Sequence, residues 1–269
     1  MEKNLNKAPA DAQTSDLPRV TVIIPTYNRA DLIGQAIESV QKQTFTDWEI
    51  IVIDDASKDN TAAVVAPFVA VDLRIRYFVQ LANVGIARNR NTGLDQARGT
   101  YIAMLDSDDV WLDPNKLAEQ VKFLDARPDY ALVGTYVTSI DLQGKPVGTF
   151  GYETGNTAIR RAILFRNQFT QSSVLYRLSA AREAGNYDTS IIVNDDYGLW
   201  LAIGRRHKFA NLSEPMTGYR IHPQGITKTR PLVSAREHLQ IIKKYRADYP
   251  NYFLASIKAR LRILKAYLN

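Results

Sequence analysis

Short apolar runs alternate with stretches of helical spacing through the first half of the chain. The runs are RVTVIIP (19–25), EIIVI (49–53), IRYFV (75–79) and YIAML (101–105), and helical patterns occupy about 30–42, 60–68 and 86–97 between them. This order is typical of strands joined by helical crossovers, which form a parallel sheet with helices on its faces. Because ligands of such sheets bind beyond the carboxyl ends of the strands, the residues after each run are the first candidates for a functional site.

Polar residues follow all four runs. The segments are PTYNR after the first run, DDAS after the second, NVG near the third, and DSDD after the fourth. Any one segment could form a turn or cap a helix, which is the simpler interpretation of Asn28 and Ser57 taken alone. Recurrence at successive strand ends favours one shared site.

Three carboxylates, Asp106, Asp108 and Asp109, follow the fourth run with no cationic residue among them. They face water, cap the next helix, or bind a partner, for which a divalent metal is the obvious candidate. Because the chain has no cysteine and three histidines, we expect any metal to be held by oxygen. We assign Asp113 to the N-cap of the next helix, since Pro114 suits the first helical position.

The chain lacks both glycine-rich phosphate-binding motifs, G-x-x-x-x-G-K-[ST] and G-x-G-x-x-G. A nucleoside diphosphate bound at these strand ends would therefore need a metal and basic side chains to neutralise its phosphates. Carboxylates suit the other parts of such a ligand, since they accept hydrogen bonds from a ribose diol or a base N–H.

The pattern changes after residue 129. A long alternating run (130–140) precedes a glycine turn at 143–144, a helical pattern at about 157–165 and a strand at 172–176. We expect this half to complete the sheet and to form one wall of a cleft. With no internal repeat or low-complexity linker, we divide the chain into a flexible N-terminal arm (1–16), one domain (17–230) and a basic helical extension packed on it (231–269).

The net charge of +6 belongs to the C-terminal part, where ten Lys and Arg after residue 225 outnumber Glu237 and Asp248. The last segment carries an apolar stripe at helical spacing, formed by Phe253, Leu254, Ile257, Leu261 and Leu264, with Lys258, Arg262 and Lys265 beside it. This pattern predicts a helix docked on the domain, with adsorption to an anionic membrane as the second interpretation. No nucleic-acid-binding motif accompanies the charge, so we expect no such partner.

No apolar run approaches the ~18 residues of a membrane span, and the N-terminus lacks the apolar region of a signal peptide. We therefore expect a cytoplasmic protein. If its C-terminal helix adsorbs to an anionic membrane, the protein would bind peripherally at the inner face of that membrane.

Five blocks resemble, in order, those of family 2 glycosyltransferases, the inverting GT-A enzymes that use nucleotide-diphosphate sugars. The blocks are PTYNR, IDDASKDNT, NVGIARNRNTGL, GTYIAMLDSDDVW, and DDYGLWL preceded by AGNYD. The resemblance implies an α/β, Rossmann-like GT-A fold, with a mostly parallel sheet flanked by helices and a C-terminal helical extension. It also implies a UDP-linked or related donor, a saccharide or lipid-linked saccharide acceptor, and a role in surface polysaccharide or glycoconjugate synthesis.

The resemblance further implies roles for individual residues. Asp55 would contact the base, and Asp106 the ribose and sugar. The other nucleotide-binding residues would be Pro25, Tyr27, Arg29, Asn83 and Arg90. Asp108 would bind Mn or Mg, with His222, from the block YRIHPQG, as a second metal ligand near the diphosphate.

The catalytic base is expected at Asp196 or Asp195, in the block where the family usually shows Glu-Asp. Alignment on Trp200, which we place in the core, favours Asp196. Family members often read E-D-x-D-L-W, so in DDYGLW the first acid is shortened and the last is replaced by Gly198. We expect this difference to affect acceptor contacts. The implied reaction is an in-line displacement that inverts the anomeric carbon without a covalent intermediate.

Two alternatives stay open from the sequence. Residues 106–110 also fit the D-x-D-x-[TV] signature of phosphatases that form an aspartyl phosphate, although that signature normally follows the first strand of its domain. A non-catalytic relative that binds nucleotide sugars is the second alternative, with the lost acid at Gly198 as its indication. Transfer or hydrolysis of a sugar nucleotide would exclude the non-catalytic relative.

Overall fold

The computed structural model describes residues 17–222, 225 and 229–268. The strands are β1 (Val20–Thr26), β2 (Trp48–Asp54), β3 (Ile75–Val79), β4 (Tyr101–Met104), β5 (Val110–Trp111), β6 (Tyr130–Ile140), β7 (Pro146–Phe150), β8 (Leu175–Arg177) and β9 (Lys208–Arg220). The helices are α1 (Ile33–Gln41), α2 (Thr61–Val71), α3 (Ile86–Gln96), α4 (Lys116–Asp125), α5 (Asn156–Ala162), α6 (Leu178–Glu183), α7 (Asp195–Ile203), α8 (Pro231–Lys244) and α9 (Tyr252–Leu268). The predicted N-terminal arm (1–16) lies outside the described residues.

The strands form one sheet in the order β3-β2-β1-β4-β8-β6-β9-β5, with β7 paired to β6. Strands β1 to β4 pair in parallel, as predicted, so the ends of β1, β2 and β4 lie at one edge. The second half is mixed: β8 runs antiparallel to β4 and β6, while β6 and β9 are parallel. Strands β6 and β7 are antiparallel because a short turn joins them, whereas parallel strands need a long crossover.

Helices cover the sheet on both faces. Strands β1 and β2 are buried along their whole length, which explains their nearly continuous apolar sequences. Alternate residues of β1 enter different cores, with Val22 and Ile24 beside α1 on one face and Ile23 beside α3 on the other. A Cβ at Gly93 of α3 would lie 2.6 Å from the Ile23 side chain, so only glycine permits this close approach. The two cores hold the strand ends that carry the polar residues.

The prediction that Asp113 is the N-cap of α4 is wrong. The helix begins at Lys116, with Asn115 at the N-cap, and Asp113 Oδ1 instead accepts a hydrogen bond from the Asn115 backbone N–H at 2.7 Å. The chain cannot turn into the helix earlier, because the backbone N–H groups of Leu112 and Asp113 donate to the Met216 carbonyl of β9. The helix therefore begins two residues later than predicted, after the pairing with β9.

The C-terminal helix packs on the rest of the protein, but not through its large apolar residues. Helix α9 buries Ala255, Ser256 and Ala259 against the core that contains α8. The apolar stripe identified in the sequence stays exposed, from 41% at Ile257 to 73% at Phe253. Among the described residues, no helix is long and apolar enough to cross a membrane.

Candidate active site

The loops that follow β1 and β2 are tied together by turn-forming side chains. Asn28 adopts a positive φ of 52°, and its Oδ1 accepts a hydrogen bond from the Lys58 N–H at 2.8 Å. The Asn28 N–H in turn donates to the Ser57 hydroxyl at 2.8 Å. Both residues therefore perform the turn chemistry that was the simpler interpretation of each alone.

Asp55 is buried at the end of β2 and fixes the next loop of the rim. Its Oδ1 accepts the Val84 N–H at 2.7 Å and its Oδ2 accepts the Gly85 N–H at 3.0 Å. Gly85 has a φ of 88°, a conformation that other residues rarely adopt. Each carboxylate oxygen keeps a lone pair for a ligand, so the contact between Asp55 and a base stays a prediction.

The other residues predicted for the nucleoside pocket differ in exposure. Tyr27 is 41% exposed at the rim, and Asn83 is exposed in the loop that Asp55 holds. Pro25 lies inside β1, buried and paired in register with Ile53. Tyr27 and Asn83 are thus open to a ligand, whereas Pro25 shapes the strand below them.

Asp109 holds the acidic loop in place. Its side chain is 2% exposed and accepts hydrogen bonds from the Ser172 hydroxyl at 2.5 Å and the Arg220 N–H at 2.8 Å. Burial and the neighbouring acids Asp108 and Asp106 raise the pKa of its carboxyl well above the usual value. Asp109 therefore links the loop to β9 and is not available to a metal.

Asp108 is a partly buried carboxylate of the loop, and it faces two cationic or ionisable groups. His222 Nε2 lies 2.9 Å from Asp108 Oδ2, and Arg29 Nε lies 3.5 Å from the same oxygen. Burial opposes ionisation of Asp108, but the hydrogen bond from His222 and the charge of Arg29 outweigh it and lower the pKa. The predicted metal ligands Asp108 and His222 therefore lie together, with Arg29 beside them.

This pair fits a hard divalent cation only if a ligand completes the coordination. In the described part of the chain, no group of three or more His, Asp or Glu side chains could hold a metal by itself. Magnesium-type sites commonly use one or two carboxylates and take their other ligands from substrate phosphates and water. Asp108 and His222 are suited to that arrangement.

Arg90 joins three elements at the centre of the site. Its guanidinium is buried, and its Nη1 lies 2.9 and 2.7 Å from the two oxygens of Asp195, at the start of α7. Its Nη2 lies 2.8 Å from Asp106 Oδ1, at the end of β4. Asp106 therefore has a cationic partner, 16 residues earlier in the chain. A direct contact between Arg90 and the nucleotide stays a prediction.

Asp195 and Asp196 occupy different environments although they are adjacent. Asp195 is 2% exposed and accepts both of its side-chain hydrogen bonds from Arg90. Asp196 is only partly buried, and its Oδ2 accepts a hydrogen bond from Asn167 Nδ2 at 3.0 Å. Burial, together with the charge of Asp195, raises the pKa of Asp196 to about 7, against the opposing charge of Arg90. Such a carboxylate can gain and lose a proton near neutral pH.

Helix α7 anchors these acids as predicted. Trp200 and Leu199 are buried at 0% and 1% exposure, and the helix begins at Asp195 with Asn194 at the N-cap. The two acids lie in the first turn, where the positive end of the helix dipole favours negative charge. Asp196 is thus not the capping residue.

Sequence reasoning missed Arg220 and Asn167. Arg220 is 3% exposed, and its Nε donates to the Asp108 carbonyl at 2.7 Å while its backbone N–H holds Asp109. Its position as the last residue of β9 was the signal that could have found it. Asn167 lies in a loop with no local pattern, so nothing in the sequence pointed to its contact with Asp196.

Residues 21–196 match the protein family described as Glycosyl transferase family 2. The chain belongs to this family. As a family 2 glycosyltransferase it is a transferase enzyme, which excludes the aspartyl-phosphate phosphatase suggested by residues 106–110. The order of the sheet agrees, since β4 is the fourth strand along the chain, whereas the phosphatase signature normally follows the first.

Curated relatives of this glycosyltransferase cover different parts of it. It is 32% identical over 213 residues to an uncharacterized glycosyltransferase of Rickettsia bellii. The matched region is 79% of this chain but only 30% of the relative. It is 48% identical over 97 residues to the GalNAc(5)-diNAcBac-PP-undecaprenol beta-1,3-glucosyltransferase of Campylobacter jejuni, covering 36% of this chain and 31% of that one. It is 44% identical over 105 residues to the UDP-Glc:alpha-D-GlcNAc-diphosphoundecaprenol beta-1,3-glucosyltransferase WfgD of Escherichia coli. This match covers 39% of this chain and 40% of WfgD. The chain thus spans about a third of these relatives' length.

Two solved structures show the same fold. S. aureus TarS 1-349 in complex with UDP-GlcNAc has a TM-score of 0.71 at 20% identity, covering 91% of this chain and 70% of that one. The mannosyltransferase PcManGT from Pyrobaculum calidifontis, in complex with GDP-Man and Mn²⁺, has a TM-score of 0.66 at 21% identity. The superposition covers 94% of this chain and 76% of PcManGT. The predicted GT-A fold is therefore confirmed.

Proposed function

We propose that this family 2 glycosyltransferase moves a sugar from a UDP-linked donor to a hydroxyl of a lipid-linked saccharide, with inversion at the anomeric carbon. The observation that carries the proposal is Asp196, a partly buried carboxylate with a pKa near 7, whose charged neighbours include Asp106 at the end of β4. The proposal assigns the transferase domain to residues 17–230 and a packed helical extension to residues 231–269.

In this reaction Asp196 accepts the proton of the acceptor hydroxyl as the new C–O bond forms. The bond between the anomeric carbon and the diphosphate breaks in the same displacement, and UDP leaves with both bonding electrons. Asn167 orients Asp196 through its hydrogen bond, and the charge of Arg90 partly offsets the repulsion between Asp195 and Asp196. Because the acceptor hydroxyl attacks the anomeric carbon directly, no group of the protein forms a covalent bond with the sugar. A single base is sufficient for this displacement, and the configuration inverts.

The charge that develops on the departing diphosphate needs positive partners. A divalent cation, Mn or Mg, held by Asp108 and His222 would supply Lewis-acid stabilisation of that charge. Arg29, which lies 3.5 Å from Asp108, is the protein's own cation at this place. The Mn²⁺ bound together with the donor in PcManGT supports a cation in this role.

The comparisons support each partner to a different degree. TarS binds UDP-GlcNAc, which supports a UDP-linked donor. The Campylobacter and Escherichia relatives are named for transfer to undecaprenol-linked saccharides, which supports a lipid-linked acceptor and a role in surface glycoconjugate synthesis. The exposed apolar stripe of α9, beside Lys258 and Lys265, supports peripheral contact with an anionic membrane. We include no nucleic acid among the partners.

A panel of nucleotide sugars tests this function. Each sugar is incubated with Mn²⁺ and a lipid-linked saccharide, and UDP release and product formation are measured. Thermal shift with and without Mn²⁺ identifies the donor, because a ligand that binds only the folded state raises the melting temperature. We expect one UDP-sugar to stabilise the protein and to be transferred. Stabilisation without transfer or hydrolysis would favour a non-catalytic binding protein.

An Asp108→Ala variant is expected to lose the Mn²⁺-dependent stabilisation by UDP. Asp108 would be the only carboxylate ligand, so its removal leaves the cation with imidazole and phosphate. The melting temperature without ligand should stay nearly unchanged, because Asp108 is 20% exposed and its partners are also partly exposed. Thermal shift measurements with UDP, with and without Mn²⁺, give both quantities.

The matched control is Asp31→Ala, which removes an exposed carboxylate from the loop after β1. It should bind UDP and Mn²⁺ like the unaltered protein. Unchanged Mn²⁺-dependent binding in Asp108→Ala would show that the cation lies elsewhere.

A further inference from the structure

A cavity of about 410 Å³ opens beside Asp196, between the start of α8 and the last turns of α9. Residues that line it include Arg166, Asn167, Ser234, His238, Arg262 and Lys265. Asn167 connects the cavity to the base, since its Nδ2 donates to Asp196 Oδ2 at 3.0 Å. A group bound in the cavity therefore lies one side chain away from the base.

The cavity carries cations without anionic partners. Arg166, Arg262 and Lys265 form no ion pair with any residue of 17–222, 225 or 229–268. Helical spacing explains why Arg262 faces inward, because positions 255, 259, 262 and 266 share one face and Ala255 and Ala259 are buried. The packing that holds α9 in place thus directs Arg262 toward the cavity.

The start of α8 adds to the positive potential of the cavity, and no acidic side chain is among the described residues that line it. The first turn of α8 lines the cavity through Pro231 and Ser234, and the N-terminus of a helix favours anions. Glu237, on the same helix, does not line the cavity, and its carboxylate accepts the backbone N–H groups of residues 192–194 at 2.6 to 3.0 Å. His238 is uncharged at neutral pH, since burial and the charge of Arg262 lower its pKa to about 4. The cavity is therefore cationic through permanent charges.

We propose that this cavity binds the phosphate group through which the acceptor saccharide is joined to its carrier. The inference rests on the proposed function, and it assigns the acceptor phosphate to Arg262, Lys265 and Arg166. The donor phosphates are expected at Asp108 and His222, whereas this cavity adjoins the base that must reach the acceptor hydroxyl. The apolar stripe of α9, with Leu261 and Leu264 next to the cationic positions, offers a path for a lipid carrier.

Binding of inorganic pyrophosphate to the full chain tests the anion site without any transfer. Isothermal titration in EDTA compares the unaltered protein with the Arg262→Gln/Lys265→Gln variant. Its matched control is Lys243→Gln/Arg260→Gln, which removes the same charge at exposed positions outside the cavity. We expect the cavity variant to bind about tenfold more weakly, because charge-assisted hydrogen bonds are lost, and the control to bind within twofold. Equal affinity in the two variants overturns the site.

The single variant Lys265→Gln guards against misfolding, because Lys265 is exposed and its replacement disturbs no packing. It should weaken pyrophosphate binding in the same direction, by two- to threefold. The proposal is overturned if Lys265→Gln binds pyrophosphate like the unaltered protein and if the double variant Arg262→Gln/Lys265→Gln is folded and also binds it normally.

Acceptor kinetics then identify the source of the phosphate. The cavity variant should raise KM about tenfold for a saccharide attached to a short lipid through a diphosphate, and leave KM unchanged for the methyl glycoside of that saccharide. Equal rises for both acceptors overturn the assignment. If neither acceptor receives sugar, the proposed function fails, and the pyrophosphate titration alone decides whether the anion site exists.

A membrane headgroup is the other source of a phosphate. Flotation with phosphatidylglycerol vesicles that contain no acceptor uses the single variants Arg262→Gln and Arg260→Gln, because both keep Lys265 beside the apolar stripe. We expect the two variants to lose vesicle binding equally. A larger loss in Arg262→Gln would assign the cavity to phospholipid headgroups and overturn the acceptor proposal.

Discussion

An Asp196→Asn variant is expected to lose roughly 10²- to 10⁴-fold in transfer rate, which is the usual contribution of a positioned general base. Asparagine keeps the shape of the side chain and can still accept the hydrogen bond from Asn167, but it cannot take a proton. UDP and Mn²⁺ affinity should stay within a few-fold, because the predicted donor contacts lie at Asp55, Asp106 and Asp108. Single-turnover transfer assays and UDP titrations measure the two quantities separately.

The dependence of the rate on pH provides a second test of the same residue. Burial raises the pKa of Asp196 to about 7, so the carboxylate is protonated and inactive as a base below this pH and ionised above it. The transfer rate of the unaltered enzyme should therefore rise with pH to a plateau, with a midpoint near 7. Asp196→Asn should show a low rate without this rise.

Asp195→Asn is the matched comparison, since it removes the adjacent carboxylate with the same change of chemistry. Asp195 is enclosed by Arg90 and not open to an acceptor, so we expect a smaller loss of rate and a retained rise with pH. Near-normal transfer by Asp196→Asn would mean that the base is Asp195 or lies outside this segment.

An Arg90→Met variant is expected to lose about 3–5 kcal/mol of folding stability, because it leaves Asp195 buried at 2% exposure without its cation. For a domain of this size the melting temperature should fall by roughly 6–20 °C. The loss should be visible in chemical denaturation as a lower midpoint without a change of slope. The same variant also frees Asp106, so nucleotide binding should weaken.

Arg88→Met is the control for this prediction, since Arg88 is exposed on the same helix. Its effect should stay within about 0.5 kcal/mol. The double variant Arg90→Met/Asp195→Asn should recover part of the lost stability, because the uncompensated charge is gone. A melting temperature of Arg90→Met equal to that of Arg88→Met would contradict a structural role for the buried network.

The fold of the first half was predictable because its signals are local. Apolar runs long enough for buried strands, separated by helical spacing, predicted β1 to β4 and α1 to α3 with ends that differ by at most three residues from the structure. The same order predicted that the strand ends share one edge. The late start of α4 was not predictable, because it depends on pairing with β9, about a hundred residues farther along the chain.

The C-terminal helix shows how a local pattern can mislead. Its large apolar residues suggested the packed face, but the close approach to α8 uses Ala255, Ser256 and Ala259. Small residues permit close packing between helices, whereas the hydrophobic pattern alone does not reveal which face finds a complementary surface. The exposed stripe and the inward position of Arg262 both follow from this choice.

The sequence by itself determined which residue types stand at each strand end, the family, and the pair of acids that contains the candidate base. Only the tertiary structure decided how those acids divide their tasks. Asp106, Asp108 and Asp109 look alike in the sequence, yet their partners are Arg90, His222 and Ser172. Asp195 and Asp196 are adjacent, yet the first is paired with an arginine 105 residues away while the second has a pKa near 7. The pKa of a carboxyl group depends on its burial and on charged or hydrogen-bonding neighbours within a few ångströms. The fold brings those neighbours from distant parts of the chain.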